Sequence, residues 1–116
     1  MAKNYKMYLG GQWVDRKDKI SVVNPFDDIV VGDVAAASMA DYTKAIDIAQ
    51  KTFAYTRELP SYKRSEICLA IADGLKQHRE KFTKMMCMEL GKAHRDSLGE
   101  VNRAIGVFFF GFGHIF

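Results

Sequence analysis

Two cysteines and three histidines are the residues of this sequence that could support nucleophilic catalysis. A cysteine becomes a nucleophile when a neighbouring base or positive charge favours its thiolate form. The base for Cys68 or Cys87 would have to be His78, His94 or His114, and no spacing argues for any pairing. We therefore interpret both cysteines as buried structural thiols, and we assign no catalytic residue.

Phosphate-binding and metal-binding patterns are also weak. Gly111-Phe112-Gly113 resembles part of a phosphate-binding loop, but it follows a predicted helix and has no third glycine. The histidines and the scattered acids do not have the spacing of transition-metal ligands. We therefore assign no cofactor-binding residue to this chain.

Composition describes a globular chain without a charged binding stripe. The 116 residues are 48% hydrophobic and 27% charged, with a net charge of +3, which indicates one domain. Lysines and arginines are interspersed with acids, as on a solvated helix face, so we expect no nucleic-acid partner. No run approaches the roughly 18 apolar residues of a membrane span, the first eight residues lack a signal-peptide core, and no C-x-x-C motif occurs. We expect reduced thiols, no membrane partner and a cytoplasmic location.

Short β-prone runs occupy the first third of the chain, between about residues 6 and 36. The Gly10-Gly11 pair between the first two runs supplies the positive φ angles that a tight hairpin needs. Asn24-Pro25 ends the third run, because proline cannot donate to a ladder. The sequence predicts three or four strands in these runs: Met7–Leu9, Gln12–Val14, 20–23 and one beginning at 29.

Helices are predicted from about residue 39 to 116. Between 61 and 92, apolar residues recur every three or four positions in two rows, which predicts two helices meeting near His78 and lying in a groove made by several elements. Gly91 can adopt the left-handed conformation that ends a helix. The first row is Ile67, Ile71, Leu75, Phe82 and Met85, and the second row is Cys68, Ala72 and Met86.

One more helix is predicted on each side of this pair. Ser38 and Asp41 have nearly the spacing of a capping box, and Pro60 limits the helix that follows to an end near 55–58. A last helix should begin near Ala93 or Asp96. The predicted buried faces are Tyr42, Ala45, Ile46, Ala49 and Phe53 in the former, and Leu98, Val101, Ile105, Phe108 and Phe112 in the latter.

The run 108–116 contains five of the eight phenylalanines and no polar cap. Five such side chains in water would be a large liability, because burying one phenylalanine stabilises by roughly 1.5–3 kcal/mol. We expect this tail to contact downstream chain, another subunit, or the groove between the other helices.

Six short blocks occur in order along about 8–107. They are Gly10 to Val14, Asn24-Pro25, Ser38 with Asp41, Ala45 and Ala49, Arg64 with Ile67 and 71–73 with Leu75, Glu89 with Gly91-Lys92, and Glu100-Val101. Together they resemble the N-terminal part of the NAD(P)-dependent aldehyde dehydrogenase superfamily. Within it, the sequence is similar to archaeal lactaldehyde and non-phosphorylating glyceraldehyde-3-phosphate dehydrogenases. The tail 108–116 departs from the family's usual continuation, which makes a premature stop or an altered reading frame a hypothesis.

This resemblance implies an α/β fold in which strands and three or four helices form part of the cofactor-binding domain, without the complete Rossmann-like unit. The intact enzyme would be a homo-oligomer that oxidises a small aldehyde with NAD or NADP. In that chemistry a cysteine forms a thiohemiacetal, the nicotinamide accepts hydride, and a glutamate-activated water releases the acid. The family's nucleophilic cysteine, base, oxyanion-holding asparagine and cofactor loop are expected beyond residue 116, so the 116-residue chain alone is predicted to be inactive.

The resemblance also implies a candidate monovalent cation site, formed by Glu89 with backbone carbonyls near Val22 and Val23. The preferred alternative is that Glu89 orders the helix end or pairs with Lys92. Asn24 is interpreted first as a turn former. For the whole chain, the alternative functions are a non-enzymatic helical interaction module with a Phe-rich docking tail, and a regulatory truncation that assembles with full-length subunits.

Overall fold

The computed structural model describes residues 3–113, and in them five strands precede four helices. The predicted α/β class is confirmed. The chain divides between Glu58 and Leu59 into two compact units. The elements are β1 Lys3–Tyr5, β2 Met7–Leu9, β3 Gln12–Val14, β4 Lys19–Val23, β5 Val30–Ala35, α1 Met39–Arg57, α2 Ser61–Gln77, α3 Arg79–Leu90 and α4 His94–Gly113.

The first unit contains a three-stranded sheet of order β1-β5-β4 and a separate β2-β3 hairpin. The predicted hairpin is confirmed: Met7 lies opposite Val14, and Gly10 and Gly11 have φ angles of 57° and 83°. β4 runs antiparallel to β5, with a bulge between Val22 and Val23. Positive φ angles at the turn explain why two glycines are needed there.

The strand region begins at Lys3 rather than near residue 6, because β1 was not predicted. Lys3–Tyr5 has no apolar alternation, and it becomes a strand by pairing in parallel with β5, almost thirty residues later.

The predicted turn at Asn24 is confirmed, since its Oδ1 accepts from the Phe26 N–H at 3.1 Å and its own N–H donates to the Ile29 carbonyl. β5 begins at Val30, one residue later than predicted.

α1 begins after Ser38 and ends at Arg57, as predicted, but its predicted buried face is not buried. Tyr42 is 61% exposed, Ile46 is 66% exposed and Phe53 is 61% exposed. A different face of α1, which includes Ile48, packs against the hairpin. A Cβ built on Gly10 would lie 2.5 Å from Ile48 Cδ1, so the hairpin turn sits directly against Ile48.

The second unit consists of α2, α3 and α4, with α4 packed against both other helices. The predicted junction at His78 is confirmed, since α2 ends there and α3 follows at once. Gly91 ends α3 with a φ of 64°, as predicted. The most buried residues of this unit are small, which lets the helix axes approach closely: Ser65, Ala72, Thr83, Ser97 and Val101.

The two apolar rows of α2 and α3 are only partly buried. Leu75 and Phe82 of the first row and Met86 of the second line one groove against α4, in agreement with the predicted shared groove. On α2, Ala72 is only 3% exposed while Ile67 and Ile71 are exposed, because the close contact with α4 admits the smaller side chain. On α4 the predicted face is confirmed for Leu98, Val101, Ile105 and Phe108, all buried or half-buried. The Phe112 side chain and residues 114–116 lie outside the described part.

Candidate functional site

The most elaborate polar cluster among the described residues joins Arg16 to the N-terminus of α1. Arg16 Nε donates to Asp41 Oδ2 at 3.0 Å, and Arg16 Nη2 donates to Oδ1. The Ser38 N–H and hydroxyl both donate to Asp41 Oδ2, at 2.9 and 2.8 Å. The Asp41 N–H donates to Ser38 Oγ at 3.3 Å, which completes the predicted capping box.

Ionisation of this cluster follows from its hydrogen bonds. The Arg16 guanidinium, together with the Ser38 donors, holds the pKa of Asp41 well below its usual range, and Asp41 raises the pKa of Arg16. The Asp41 side chain is only 5% exposed, and four hydrogen bonds converge on its carboxylate. We interpret this carboxylate as a structural clamp, because a carboxyl with a strongly lowered pKa is a poor general base.

The candidate nucleophiles, Cys68 and Cys87, lie in the second unit. Cys87 Sγ contacts the hydroxyl of buried Ser97 at 3.5 Å, and Cys68 is half-buried. His78 is exposed at the junction of α2 and α3, and His94 Nε2 lies 3.3 Å from Glu80 Oε1. Within residues 3–113, the structure brings neither cysteine together with a histidine.

The third histidine, His114, lies outside the described residues. Gly111 lies inside α4, and it therefore cannot form a strand-to-helix phosphate loop. Gly10 does not fit a pyrophosphate cradle either, because a Cβ there would meet Ile48. No group of three His, Cys, Asp or Glu side chains in the described part of the chain is placed to hold a metal ion.

The residues of the predicted cation site fall in different units. Val22 and Val23 lie on β4, opposite Gly32 and Val30 of β5, and the bulge between them interrupts the regular ladder. Glu89 lies in the last turn of α3 and is exposed. The cation site stays a prediction.

The alternative prediction is that Glu89 orders the helix end or pairs with Lys92. The ion pair with Lys92 is not formed, and the ordering of the helix end stays a prediction. Lys92 Nζ pairs instead with Glu100 Oε1, across the turn that connects α3 to α4. This pair lowers the pKa of the Glu100 carboxyl. Arg103 Nη2 approaches the same carboxylate at 3.8 Å. The turn at Gly91 brings Lys92 close to the first two turns of α4, and sequence spacing does not reveal this.

Each unit contains an apolar groove rather than a polar cleft. In the first unit, a groove of about 520 Å³ lies between the hairpin and α1, lined by Tyr8, Gly11, Ala45 and Thr52 among others. In the second unit, a cavity of about 160 Å³ is bounded by His78, Lys81, Phe82 and Met85. Neither groove combines a nucleophile with a base, so their linings favour packing contacts over chemistry.

Among the residues that the structure describes, no helix is both long and apolar enough to cross a bilayer.

Comparisons with known proteins give the chain a family. The profile of the aldehyde dehydrogenase family matches residues 13–115. The lactaldehyde dehydrogenase of Methanocaldococcus jannaschii is 33% identical over 102 residues, which are 88% of this chain and 22% of that protein. The chain therefore spans about a fifth of the length of this curated relative.

Solved structures agree with the sequence match. Aldehyde dehydrogenase 21 from Physcomitrella patens superposes with a TM-score of 0.94 and 27% identity, covering 98% of this chain and 24% of that one. An NAD-dependent benzaldehyde dehydrogenase from Corynebacterium glutamicum superposes with a TM-score of 0.89 and 28% identity, covering 95% and 25%. The resemblance predicted from the sequence is confirmed, and the chain belongs to the aldehyde dehydrogenase family, as an N-terminal segment.

Proposed function

We propose that this chain serves as the N-terminal segment of an enzyme that oxidises a small aldehyde to its carboxylic acid with NAD or NADP, through a cysteine thiohemiacetal. The observation that carries the proposal is the agreement of fold with aldehyde dehydrogenase 21, at a TM-score of 0.94 over 98% of the chain. The lactaldehyde dehydrogenase relative makes lactaldehyde the first substrate to test. A homo-oligomeric enzyme in the cytoplasm is part of the same proposal.

The segment itself contributes structure rather than chemistry in this proposal. Its best-buried carboxylate, Asp41, is committed to Arg16 and Ser38, and its Cys87 thiol contacts Ser97 rather than a base. The strands and helices would form the N-terminal part of the cofactor-binding domain. We therefore expect no aldehyde-dependent reduction of NAD or NADP by the 116-residue chain alone.

Cofactor binding would depend on parts of the intact enzyme outside this segment, since we assign no cofactor-binding residue to the segment itself. The benzaldehyde dehydrogenase that superposes here is NAD-dependent. This supports a nicotinamide cofactor, but it does not decide between NAD and NADP. The monovalent cation predicted for Val22, Val23 and Glu89 also belongs to the proposal. Its test is the dependence of activity on KCl, which Glu89→Gln should weaken in the assembled enzyme.

A segment exchange tests the proposal. The 102 matched residues of the M. jannaschii lactaldehyde dehydrogenase are replaced by the corresponding residues of this chain, giving a segment-exchanged enzyme. A second exchange with the segment of the C. glutamicum benzaldehyde dehydrogenase shows whether the host tolerates a foreign segment. We expect lactaldehyde-dependent NAD(P)H formation from the first exchange whenever the second is active, and a folded but inactive first exchange would refute the proposal.

A second candidate, a helical interaction module, has one observation in its favour. The end of α4 exposes Val107, Phe109 and Phe110, which are 68%, 56% and 67% exposed. A module of this kind would dock an apolar helix end into a partner groove, or into its own dimer mate, with defined stoichiometry. Sedimentation of the purified chain distinguishes the two: a discrete, cooperatively melting complex favours the module, whereas open-ended association and binding of hydrophobic dyes favour the segment.

A further inference from the structure

A small cavity lies beside the junction of α2 and α3. Its described lining consists of His78 at the junction and of Lys81, Phe82 and Met85 on α3, and its volume is about 160 Å³. Steps of three and four residues place these side chains on one side of the helix. An apolar cavity of about 150 Å³ can hold benzene, so this cavity has room for a single aromatic ring.

The walls of the cavity suit an aromatic ring better than an aliphatic chain. Met85 is half-buried and Phe82 is 45% exposed, so the phenyl ring of Phe82 keeps free surface for a ligand. Two aromatic rings attract each other in offset or edge-to-face geometry, and a thioether sulfur also makes favourable contacts with an aromatic ring. Phe82 and Met85 thus provide two different contacts for the same ring.

Positive charge adjoins these apolar walls. Lys81 and His78 are the polar side chains of the described lining, and Lys81 has no ion pair within residues 3–113. The adjacent acid, Glu80, does not line the cavity, and its Oε1 lies 3.3 Å from His94 Nε2 on α4. The ammonium group of Lys81 is therefore available to an anion that enters the cavity.

We propose that this cavity binds a small aromatic carboxylate, with its ring against Phe82 and Met85 and its carboxylate beside Lys81 and His78. A carboxylate carries the single negative charge that one ammonium group can neutralise. This charge complementarity fixes the orientation of the ligand, because the carboxylate has to face Lys81 while the ring leaves water. The site goes beyond the proposed function and does not depend on it, since all the residues that form it belong to this chain.

Nuclear magnetic resonance of the 116-residue chain tests the site with benzoate as the probe. The six methionine methyl groups are labelled with carbon-13, and the Met85 signal is assigned by its loss in Met85→Leu. A ring that binds beside Met85 shifts this signal through its ring current. Met39, which lies on α1 in the first unit and is 79% exposed, reports unspecific binding. Benzyl alcohol carries the same ring without the charge.

Two lysine variants separate the site from general attraction of anions. Lys81→Gln removes the ammonium group at the cavity, and Lys84→Gln removes the same charge three residues further along α3, outside the described lining. Both side chains are exposed, so neither change disturbs packing. Circular dichroism of each variant verifies that the helix content of the parent chain is kept.

Saturable binding of benzoate at Met85 is the expected result. The Met85 signal should follow a curve with a Kd on the order of 1 mM, an ordinary affinity for so small a ligand, while the Met39 signal stays in place. At low ionic strength, Lys81→Gln should raise the Kd at least about threefold and Lys84→Gln less than about 1.5-fold. Benzyl alcohol should bind at least about threefold more weakly than benzoate.

Three results would overturn the site. The first is a Met85 signal that does not shift, or that shifts only in parallel with Met39. The second is an equal effect of the two lysine variants, which would mean that the net charge of the chain attracts the anion. The third is equal affinity for benzyl alcohol and benzoate, which would mean that the cavity does not recognise a carboxylate.

Discussion

At the scale of single residues, the Asp41 carboxylate links two separate parts of the first unit through its hydrogen bonds. It accepts from Arg16, far away in the sequence, and from Ser38 at the start of α1, so one carboxylate joins the β3–β4 connection to the helix cap. A charge-assisted, two-pronged contact of this kind is stronger than an exposed ion pair. Replacing the carboxylate leaves the guanidinium without its partner.

Asp41→Asn should therefore destabilise the first unit. The amide keeps the shape but loses the negative charge, and it cannot accept from all the donors that converge on the carboxylate. We expect the thermal unfolding midpoint to fall by at least about 5 °C. Asp15→Asn is the matched control, since Asp15 pairs with Lys19 on an exposed surface, and its midpoint should move much less. Equal effects of the two substitutions would contradict the clamp.

Acid sensitivity should follow from the same residue. The pKa of Asp41 is lowered in the folded chain from an ordinary value of 3.8, so the unfolded chain binds its proton first as the pH falls. The stabilisation from Asp41 is therefore complete above about pH 5 and declines as the pH drops below about 4. Urea unfolding at pH 7 and pH 3 should show a loss that is smaller in Asp41→Asn. An unchanged pH dependence in that variant would refute the assignment.

At the scale of elements, glycines end or weaken helices according to their backbone angles. Gly91 has a φ of 64° and ends α3, while Gly74 lies within α2, where an added Cβ would meet nothing within 4 Å. The same substitution should thus have opposite signs at the two positions.

Gly91→Ala should destabilise the second unit by about 1 kcal/mol, because alanine is strained in the left-handed region. Gly74→Ala should stabilise it by about 0.5–1 kcal/mol, because alanine loses less entropy in a helix. Urea unfolding of the two variants beside the parent chain measures both signs. A stabilising Gly91→Ala would show that the turn after α3 relaxes into another conformation.

Packing of α2 on α4 should depend on Val101, which is 5% exposed in the small-residue interface. Val101→Ala removes two buried methyl groups and should cost about 2 kcal/mol, including the cavity. Val107→Ala makes the same change on the same helix where the side chain is 68% exposed, and it should stay within about 0.5 kcal/mol. Similar costs at the two positions would contradict the described interface.

Local signals explain which elements could be predicted from the sequence. The signals for the β2-β3 hairpin, the start of α1 and the end of α3 each act within a few residues, so all three could be predicted. These signals are Gly10-Gly11, the Ser38–Asp41 cap and Gly91. The Arg16–Asp41 clamp and the pairing of β1 with β5 join residues far apart in the sequence. Neither contact could be predicted from local sequence patterns. Which apolar row of α2 faces inward was also undetermined, because a closely packed α4 selects the small Ala72 over the larger Ile71.

At the scale of the whole molecule, the exposed apolar faces and the family membership both indicate that this segment functions within a larger subunit. Large hydrophobic side chains are exposed at Tyr42, Ile46 and Phe53 on α1, at Ile67 and Ile71 on α2, and at the end of α4. The matched relatives are about four times as long as the segment. A chain with so much apolar surface gains stability from covering it. We therefore expect the segment to function when assembled with the rest of an aldehyde dehydrogenase subunit.

The most direct test compares the rate of lactaldehyde-dependent reduction of NAD and NADP in the isolated 116-residue chain and in the segment-exchanged enzyme. The two proteins are assayed at equal molar concentration, after removal of aggregates. Our account predicts no turnover by the isolated chain and turnover by the exchanged enzyme within about tenfold of the host. Turnover by the isolated chain, or a folded exchanged enzyme without activity beside an active control exchange, would contradict it.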